Sequence, residues 1–132
     1  MSGSIILPPY ALGLGCLIER MEGEMPVLAC DFTPRVVGRP GFWHGGALSG
    51  LLEMAAVCAA QAALGVEMRR LKPINVSVQF MRGGVEKRTY ALGRVIREGR
   101  RLVNVTAEAW QDDRAKPLAM AQMHVMIRAA EG

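Results

Sequence analysis

Between residues 44 and 64 the chain has a long apolar run with no proline and a single charged residue. Ala, Leu, Met, Glu and Gln dominate this segment, and all are good helix formers. The apolar residues fall on every side of the predicted helix, which is typical of a helix that is buried in a core or spans a membrane. Gly50 and Glu53 near its middle, with strand-like sequence on both sides, favour the core. The pattern therefore predicts one buried helix from His44 to about Leu64.

Alternating segments on both sides of this helix predict strands. Before it, "GCLIERMEGEMPVLACDF" alternates loosely around a Glu-Gly pair and predicts a hairpin with arms near residues 14–21 and 25–32. The following "TPRVVGRPGFW" holds two prolines and two glycines in eleven residues, which predicts a loop or edge segment. After the helix, four segments rich in Val, Ile and Thr predict four successive strands in an antiparallel meander: "PINVSVQFM", "RTYALGRVIRE", "RRLVNVTAEAWQDD" and "KPLAMAQMHVMIR".

These elements predict an α+β fold in which an antiparallel sheet curls around one helix. A helix that is apolar on every face needs cover from all sides, and a long meander can provide most of it. Such a sheet leaves an edge strand open, and pairing two edges across a two-fold axis removes that liability. We therefore expect a homo-oligomer, either a dimer or a dimer of dimers.

Composition predicts a single domain over residues 1–132 without a metal or a disulfide framework. With 51% hydrophobic and 21% charged residues, the chain has the composition of a globular protein. Cys16, Cys30 and Cys58 form an odd set without CxxC spacing, and His44 and His124 are the only histidines. Neither a zinc site nor a set of paired cysteines fits this spacing, so we expect no metal and no cofactor.

The net charge of +4 favours a polyanionic partner of some kind. Aromatic residues make up only 5% of the chain, and no helix-turn-helix or RNP-like pattern occurs, so a nucleic acid is disfavoured. The N-terminal segment lacks a basic region and is broken by Pro8-Pro9, which argues against a signal peptide. We expect a cytoplasmic protein with neither a nucleic-acid nor a membrane partner, and the charge alone does not identify the polyanion that it favours.

Three segments together resemble one known family. These are "WHGGALSGLLEMAA", "INVSVQFMRG" and residues 93–127, and they resemble the hotdog-fold acyl-CoA thioesterases of the phenylacetate-degradation (PaaI-like) group over nearly the whole chain. The family pattern is His-Gly-Gly, six residues, then Asp or Glu, and His44, Gly45, Gly46 and Glu53 match it. The resemblance implies a sheet wrapped around one central helix. It also implies a site in which the acid of one subunit faces the helix start of another.

Two positions depart from that family pattern. Relatives often have Asn six residues before the histidine, where this chain has Gly38. Some relatives place a Ser or Thr beside the acid, whereas Val57 stands one helical turn after Glu53 and cannot hydrogen-bond a water molecule.

The chemistry of thioester hydrolysis assigns candidate catalytic roles to the residues of this motif. Glu53 can act as a general base toward water or as a nucleophile. The free backbone N–H of Gly45 at a helix start can stabilise a developing oxyanion, and Gly46 allows close approach of a substrate. His44 is the third catalytic candidate, with a packing role as its alternative. Glu53 lies ~12 Å along the helix from Gly45, so one subunit alone does not bring the two to one carbonyl.

Five further residues are candidates for substrate binding. Trp43, next to the glycines, could line an acyl pocket, although a core position is the simpler interpretation. Arg82 and Gly83 end a predicted strand, and Arg100 and Arg101 lie at a tight turn. Arginine side chains exposed at turns can gather on the phosphates of coenzyme A.

Two other functions remain open from the sequence. The segment "LLEMAAVCAAQA" is similar to the helix of hotdog acyl-thioester dehydratases, but those enzymes use a histidine well before the helix, and none precedes His44. A non-catalytic acyl-CoA-binding module with the same fold is the other alternative, and the departures at Gly38 and Val57 keep it open. Glu53 would then be a structural acid.

Overall fold

The computed structural model describes residues 5–129, in which one long helix lies against a single six-stranded antiparallel sheet. The first four residues of the N-terminal segment that we expect not to be a signal peptide lie outside this range. The elements in chain order are α1 (Pro9–Leu14), β1 (Cys16–Glu22), β2 (Met25–Cys30), α2 (Gly45–Leu64), a 3-10 turn (Met68–Arg70), β3 (Leu71–Phe80), β4 (Thr89–Glu98), β5 (Leu102–Trp110) and β6 (Ala119–Ile127).

The predicted long helix is confirmed as α2, which forms the centre of the core. His44 is its N-cap, and Gly65 ends it in the left-handed conformation with a φ of 68°. The side chains that face the sheet are fully buried, among them Leu51, Leu52 and Ala55. By length and composition α2 could cross a membrane, but 67% of its apolar window is buried inside the protein. The core therefore accounts for its apolar faces.

The predicted N-terminal hairpin is confirmed, with β1 and β2 joined by a tight turn. Gly23 occupies this turn with a φ of 63°, a conformation that glycine adopts without steric cost. The Pro- and Gly-rich segment that follows is a loop, as predicted, and an isolated bridge between Val37 and Trp43 closes it.

The predicted meander is wrong, because β3 does not lie next to β4. The strand order is β1-β2-β4-β5-β6-β3, so that β4 pairs with β2 and β3 pairs with β6 at the sheet edge. Pro73 gives one physical reason, since a proline has no N–H for a central ladder and is tolerated at an edge. On the other side, the pairing of Val27 with Leu92 buries both side chains. Only β4, β5 and β6 form the continuous meander.

The short helix α1 was not predicted. It spans six residues, too few to show a periodic pattern, with Pro9 at its first position and Gly15 ending it at a φ of 94°. Ala11 and Leu14 are buried against the core, so α1 covers part of the face of α2 that points away from the sheet.

The three cysteines are free thiols buried in the core. Cys16 on β1 and Cys30 on β2 lie opposite each other in the antiparallel ladder. Burial raises the pKa of Cys58 to about 12, which leaves a buried thiol with very little thiolate at neutral pH. Between residues 5 and 129, no three or more His, Cys, Asp or Glu side chains gather in a way that could hold a metal ion.

Candidate functional site

The start of α2 is capped by His44. The imidazole Nδ1 accepts a hydrogen bond of 2.8 Å from the Gly46 N–H. Because a backbone N–H can only donate, Nδ1 is the acceptor, and in the neutral ring the proton lies on Nε2. This bond assigns His44 a capping role at the helix start and leaves its exposed Nε2–H as a donor rather than a base.

The loop before α2 fixes the position of this cap. The His44 N–H donates to the Val36 carbonyl at 2.7 Å, and the Trp43 N–H donates to the Gly84 carbonyl at 2.9 Å. A Cβ atom added at Gly38 would lie 2.9 Å from the His44 Cα, closer than real Cβ atoms approach. This contact explains the first departure from the family pattern, because the loop has no room for an Asn at residue 38.

Gly45, the first residue of α2, presents its backbone to solvent. No acceptor for its N–H occurs within the described part of the chain, as expected for the first turn of a helix. A Cβ at this position would lie 3.5 Å from the Phe80 ring, so the end of β3 flanks the glycine on one side. The Gly45 N–H is therefore an exposed donor, whereas the neighbouring Gly46 N–H is already used by the His44 cap.

Glu53 lies on the face of α2 that points away from the sheet. With 3.6 residues per turn, Gly46, Gly50, Glu53 and Val57 fall within an arc of about 60°. Glu53 is half-buried, and no ion pair or hydrogen bond to its carboxylate forms between residues 5 and 129. The Glu53 carboxylate oxygens are not fully buried, so they are accessible to solvent. Because a half-buried carboxylate without a partner in the described chain adds no ion pair or hydrogen bond to the fold, Glu53 is a candidate for chemistry rather than for structure.

Within one chain, Glu53 and the Gly45 N–H do not meet. Their offset of eight residues corresponds to ~12 Å along the helix axis. Around the axis the two residues differ by about 80°, so Glu53 points outward, whereas Gly45 lies on the side where Phe80 packs.

The three substrate-binding candidates near the helix start have different surroundings. Trp43 is buried, and its indole N–H donates to the Lys87 carbonyl at 3.1 Å. Its ring packs in the core, so the structure does not place it on an open pocket. Gly83 lies against Phe42, with a would-be Cβ 3.5 Å from the ring. Arg82 is exposed just beyond β3, and its N–H donates to the Leu118 carbonyl at 3.1 Å.

Arg100 and Arg101 belong to a pocket that sequence reasoning described only in part. Together with Arg70 and Arg128 they line an open pocket of about 480 Å³. The Arg70 Nε donates to the Arg128 carbonyl at 2.9 Å. None of the four guanidinium groups forms an ion pair with an acid in residues 5–129. We call these four residues the arginine pocket.

The arginine pocket and Arg82 lie at opposite ends of β3. Arg70 directly precedes this strand, whereas Arg82 follows it, and ten residues of strand extend ~30 Å. The structure therefore does not bring Arg82 together with Arg100 and Arg101 within one chain. The sequence did not predict that Arg70 and Arg128 belong to this pocket. They come together only because β3 pairs with β6, which places the start of β3 beside the end of β6.

The sheet wrapped on one side of a long central helix, with the His-Gly-Gly segment at the helix start, defines a hotdog fold. The family model of the thioesterase superfamily matches residues 40–118, which is more than half of the chain. The protein therefore belongs to the thioesterase superfamily.

Solved structures with the same fold include thioesterase-related proteins from several bacteria. A phenylacetic acid degradation-related protein from Ralstonia eutropha is 24% identical, with 92% of each chain covered and a TM-score of 0.78. A mutant of the phenylacetic acid degradation protein PaaI from Thermus thermophilus is 20% identical, with 92% of this chain and 100% of that chain covered and a TM-score of 0.76. A mutant thioesterase from Staphylococcus aureus is 18% identical, with 90% and 98% covered and a TM-score of 0.76. These similarities confirm the PaaI-like hotdog fold.

None of the curated proteins compared by sequence matches this chain.

Proposed function

We propose that the protein is an acyl-CoA thioesterase whose active site is shared between two subunits. The observation that carries this proposal is that one helix presents both an exposed Gly45 N–H at its start and a half-buried Glu53 carboxylate without a partner among the described residues. An oxyanion donor and a carboxylate are the two groups that thioester hydrolysis needs. Their separation of ~12 Å in one chain requires that each site takes one group from each of two subunits.

The edge strand β3 supports a dimer of this kind. Three of its apolar side chains are more than a third exposed: Ile74 at 51%, Val76 at 37% and Phe80 at 56%. The opposite edge, β1, also exposes Leu17 and Met21, but it carries Glu19 and Arg20 in an ion pair, which is a common protection against edge pairing. Two copies of β3 running antiparallel across a two-fold axis would continue the sheet and set two α2 helices side by side on one face.

In the base mechanism, Glu53 of one subunit removes a proton from a water molecule. The water oxygen attacks the carbonyl carbon, and the Gly45 N–H of the other subunit donates to the negative oxygen that forms. The C–S bond then breaks, and the leaving thiolate of coenzyme A takes the proton from Glu53.

In the nucleophile mechanism, a Glu53 oxygen attacks the carbonyl carbon itself and expels the thiolate. Water then hydrolyses the resulting anhydride, which releases the acid and restores the carboxylate. In either mechanism His44 positions the helix start and does not take the proton.

The arginine pocket fits the phosphates of coenzyme A in the same dimer. In one chain it lies at the Leu71 end of β3, far from the helix start at the Phe80 end. Antiparallel pairing of two β3 strands places the Leu71 end of one subunit beside the Phe80 end of the other. One subunit would then supply both Glu53 and the arginine pocket, and the other subunit would supply the Gly45 N–H next to that pocket. The pantetheine arm of coenzyme A would extend from the pocket to this N–H.

A thiol-release assay across short, medium, long and aromatic acyl-CoA substrates tests this function. We expect turnover of at least one of these thioesters without an added metal or cofactor. Hydration of an enoyl-CoA without thiol release would instead support the dehydratase alternative. Tight acyl-CoA binding with no release would support a binding module. A monomer in light scattering at micromolar concentration would overturn the shared site.

A further inference from the structure

Gly50 in the interior of α2 is explained by Tyr10 of α1. A glycine inside a helix is less favourable than alanine, so its presence calls for a local reason. A Cβ at Gly50 would lie 2.6 Å from the Tyr10 hydroxyl oxygen and 2.8 Å from its Cε2 atom. Only a residue without a side chain leaves room for the ring at this point of the helix.

Tyr10 follows the fold of α1 into the core but is itself partly exposed. Its neighbour Ala11 is fully buried, whereas Tyr10 is 54% exposed. One edge of the ring rests on Gly50, and no hydrogen bond of its hydroxyl forms within the described residues. The ring therefore presents an apolar surface to the space beside α2.

The Tyr10 ring lies beside the part of α2 that carries the candidate catalytic groups, the Gly45 N–H and the Glu53 carboxylate. Gly50 follows Gly46 by four residues, or ~6 Å along the helix axis. Around the axis, Glu53 lies between the side of Gly45, where Phe80 packs, and the side of Gly50, where Tyr10 packs. Two half-exposed aromatic rings thus flank the stripe that runs from the helix start to the acid.

We propose that Tyr10 is a wall of the acyl-binding part of the site and limits the length of the acyl chain that fits. This inference rests on the proposed thioesterase function and names the residue that selects among its substrates. Gly50 lies ~7.5 Å along the axis from Gly45 and about 140° around it. An acyl group whose carbonyl lies at the Gly45 N–H would therefore reach the Tyr10 ring after crossing the Glu53 side of the helix. The contact is apolar, so the ring selects by shape rather than by hydrogen bonding.

The test compares Tyr10→Ala, Tyr10→Trp and Tyr10→Phe over a series of straight-chain acyl-CoA substrates from acetyl to lauroyl. We expect Tyr10→Ala to raise the ratio of kcat/KM for long over short chains by roughly tenfold or more. The larger ring in Tyr10→Trp should lower that ratio, and Tyr10→Phe should match the wild type. Leu12→Ala, on the same helix and 59% exposed, is the matched control and should leave the ratio unchanged.

An unchanged chain preference in both Tyr10→Ala and Tyr10→Trp, with only thermal stability or dimer dissociation altered, would overturn the proposal. A shift in Tyr10→Phe as large as in Tyr10→Ala would also overturn it, because the hydroxyl would then be the selective group. If the wild type hydrolyses no thioester, the proposed activity fails but the wall can still be tested. The same ratios are then measured as Kd values of alkyl-CoA thioethers, and an absence of chain-length-dependent binding would overturn the wall as well.

Discussion

The two ends of β3 are built in opposite ways. Near Phe80, the start of α2 is fixed by short hydrogen bonds, including the His44 cap at 2.8 Å and the bond from the His44 N–H to the Val36 carbonyl at 2.7 Å. Near Leu71, the arginine pocket is made of long side chains, three of them exposed, that form no ion pair in the described chain. One end holds a donor in a fixed place, and the other offers charge without fixed partners.

This difference corresponds to two roles in the proposed function, transition-state stabilisation near Phe80 and substrate binding near Leu71. Stabilising a transition state requires donors that are already in place, and their loss lowers kcat. Holding remote phosphates stabilises substrate and transition state alike, so its loss raises KM. Substitutions at the two ends should therefore change different kinetic constants.

The largest effect should come from Gly45→Pro, which removes the proposed oxyanion donor. Proline is favoured at the first position of a helix, and the extended His44 backbone, with φ of −73° and ψ of 136°, is one that a residue before proline adopts. The fold should therefore persist while kcat falls by about 10²–10³-fold. Gly45→Ala keeps the N–H and is the control. Equal losses of kcat in the two variants would show that the amide is not the donor.

Glu53→Gln should lower kcat by at least ~10²-fold, because it keeps the size of the side chain but removes the charge that makes it a base or nucleophile. Circular dichroism and light scattering should show a folded oligomer. If Gln turns over normally and Glu53→Ala only lowers the melting temperature, the acid is structural and the helix face loses its catalytic assignment.

At the other end of β3, the Arg100→Ala/Arg101→Ala variant should raise KM by roughly tenfold with little change in kcat. Added salt should raise the wild-type KM in the same direction, since exposed charges are screened. Arg69 is the matched control, because it adjoins the pocket, is 66% exposed and is already paired with Glu67. A KM equal to that of the wild type would assign the pair to an ordinary charged surface.

The smallest effect should be that of His44→Asn. Asn is among the best N-cap residues, so it can accept from the helix start as the imidazole does, and activity should stay near the wild-type value. His44→Ala removes the cap and should lower the free energy of unfolding by about 1 kcal/mol, measured by urea denaturation. A loss of kcat in His44→Asn as large as that of Glu53→Gln would instead make the imidazole part of the chemistry.

The sequence predicted the helix start and its acid well, because both depend on local signals. A proline-free run after His-Gly-Gly and the glycine at residue 65 define α2, and spacing alone places Glu53 on the same outer face as Gly46. The resemblance to hotdog thioesterases added the fold, which is confirmed, and the expectation of a site shared between subunits, which stays a prediction. The capping hydrogen bond of His44 was beyond the sequence, since it depends on how the loop before the helix folds.

The strand order and the arginine pocket could not be predicted because they depend on long-range pairing. An alternating pattern predicts that β3 is a strand but does not say that its neighbour is β6. Arg70 and Arg128 are far apart along the chain and meet only through that pairing. The contact of Tyr10 with Gly50 was missed for a related reason, because α1 is too short to be recognised from its pattern.

Complementation between two inactive variants tests the shared site most directly. Gly45→Pro and Glu53→Gln are mixed, dissociated and reassociated, and thiol release is measured. A mixed dimer of these variants holds one site with both groups intact, so random pairing should restore about a quarter of the wild-type activity. Activity that stays at the level of the separate variants, in samples shown to contain mixed dimers, would contradict a site built from two subunits.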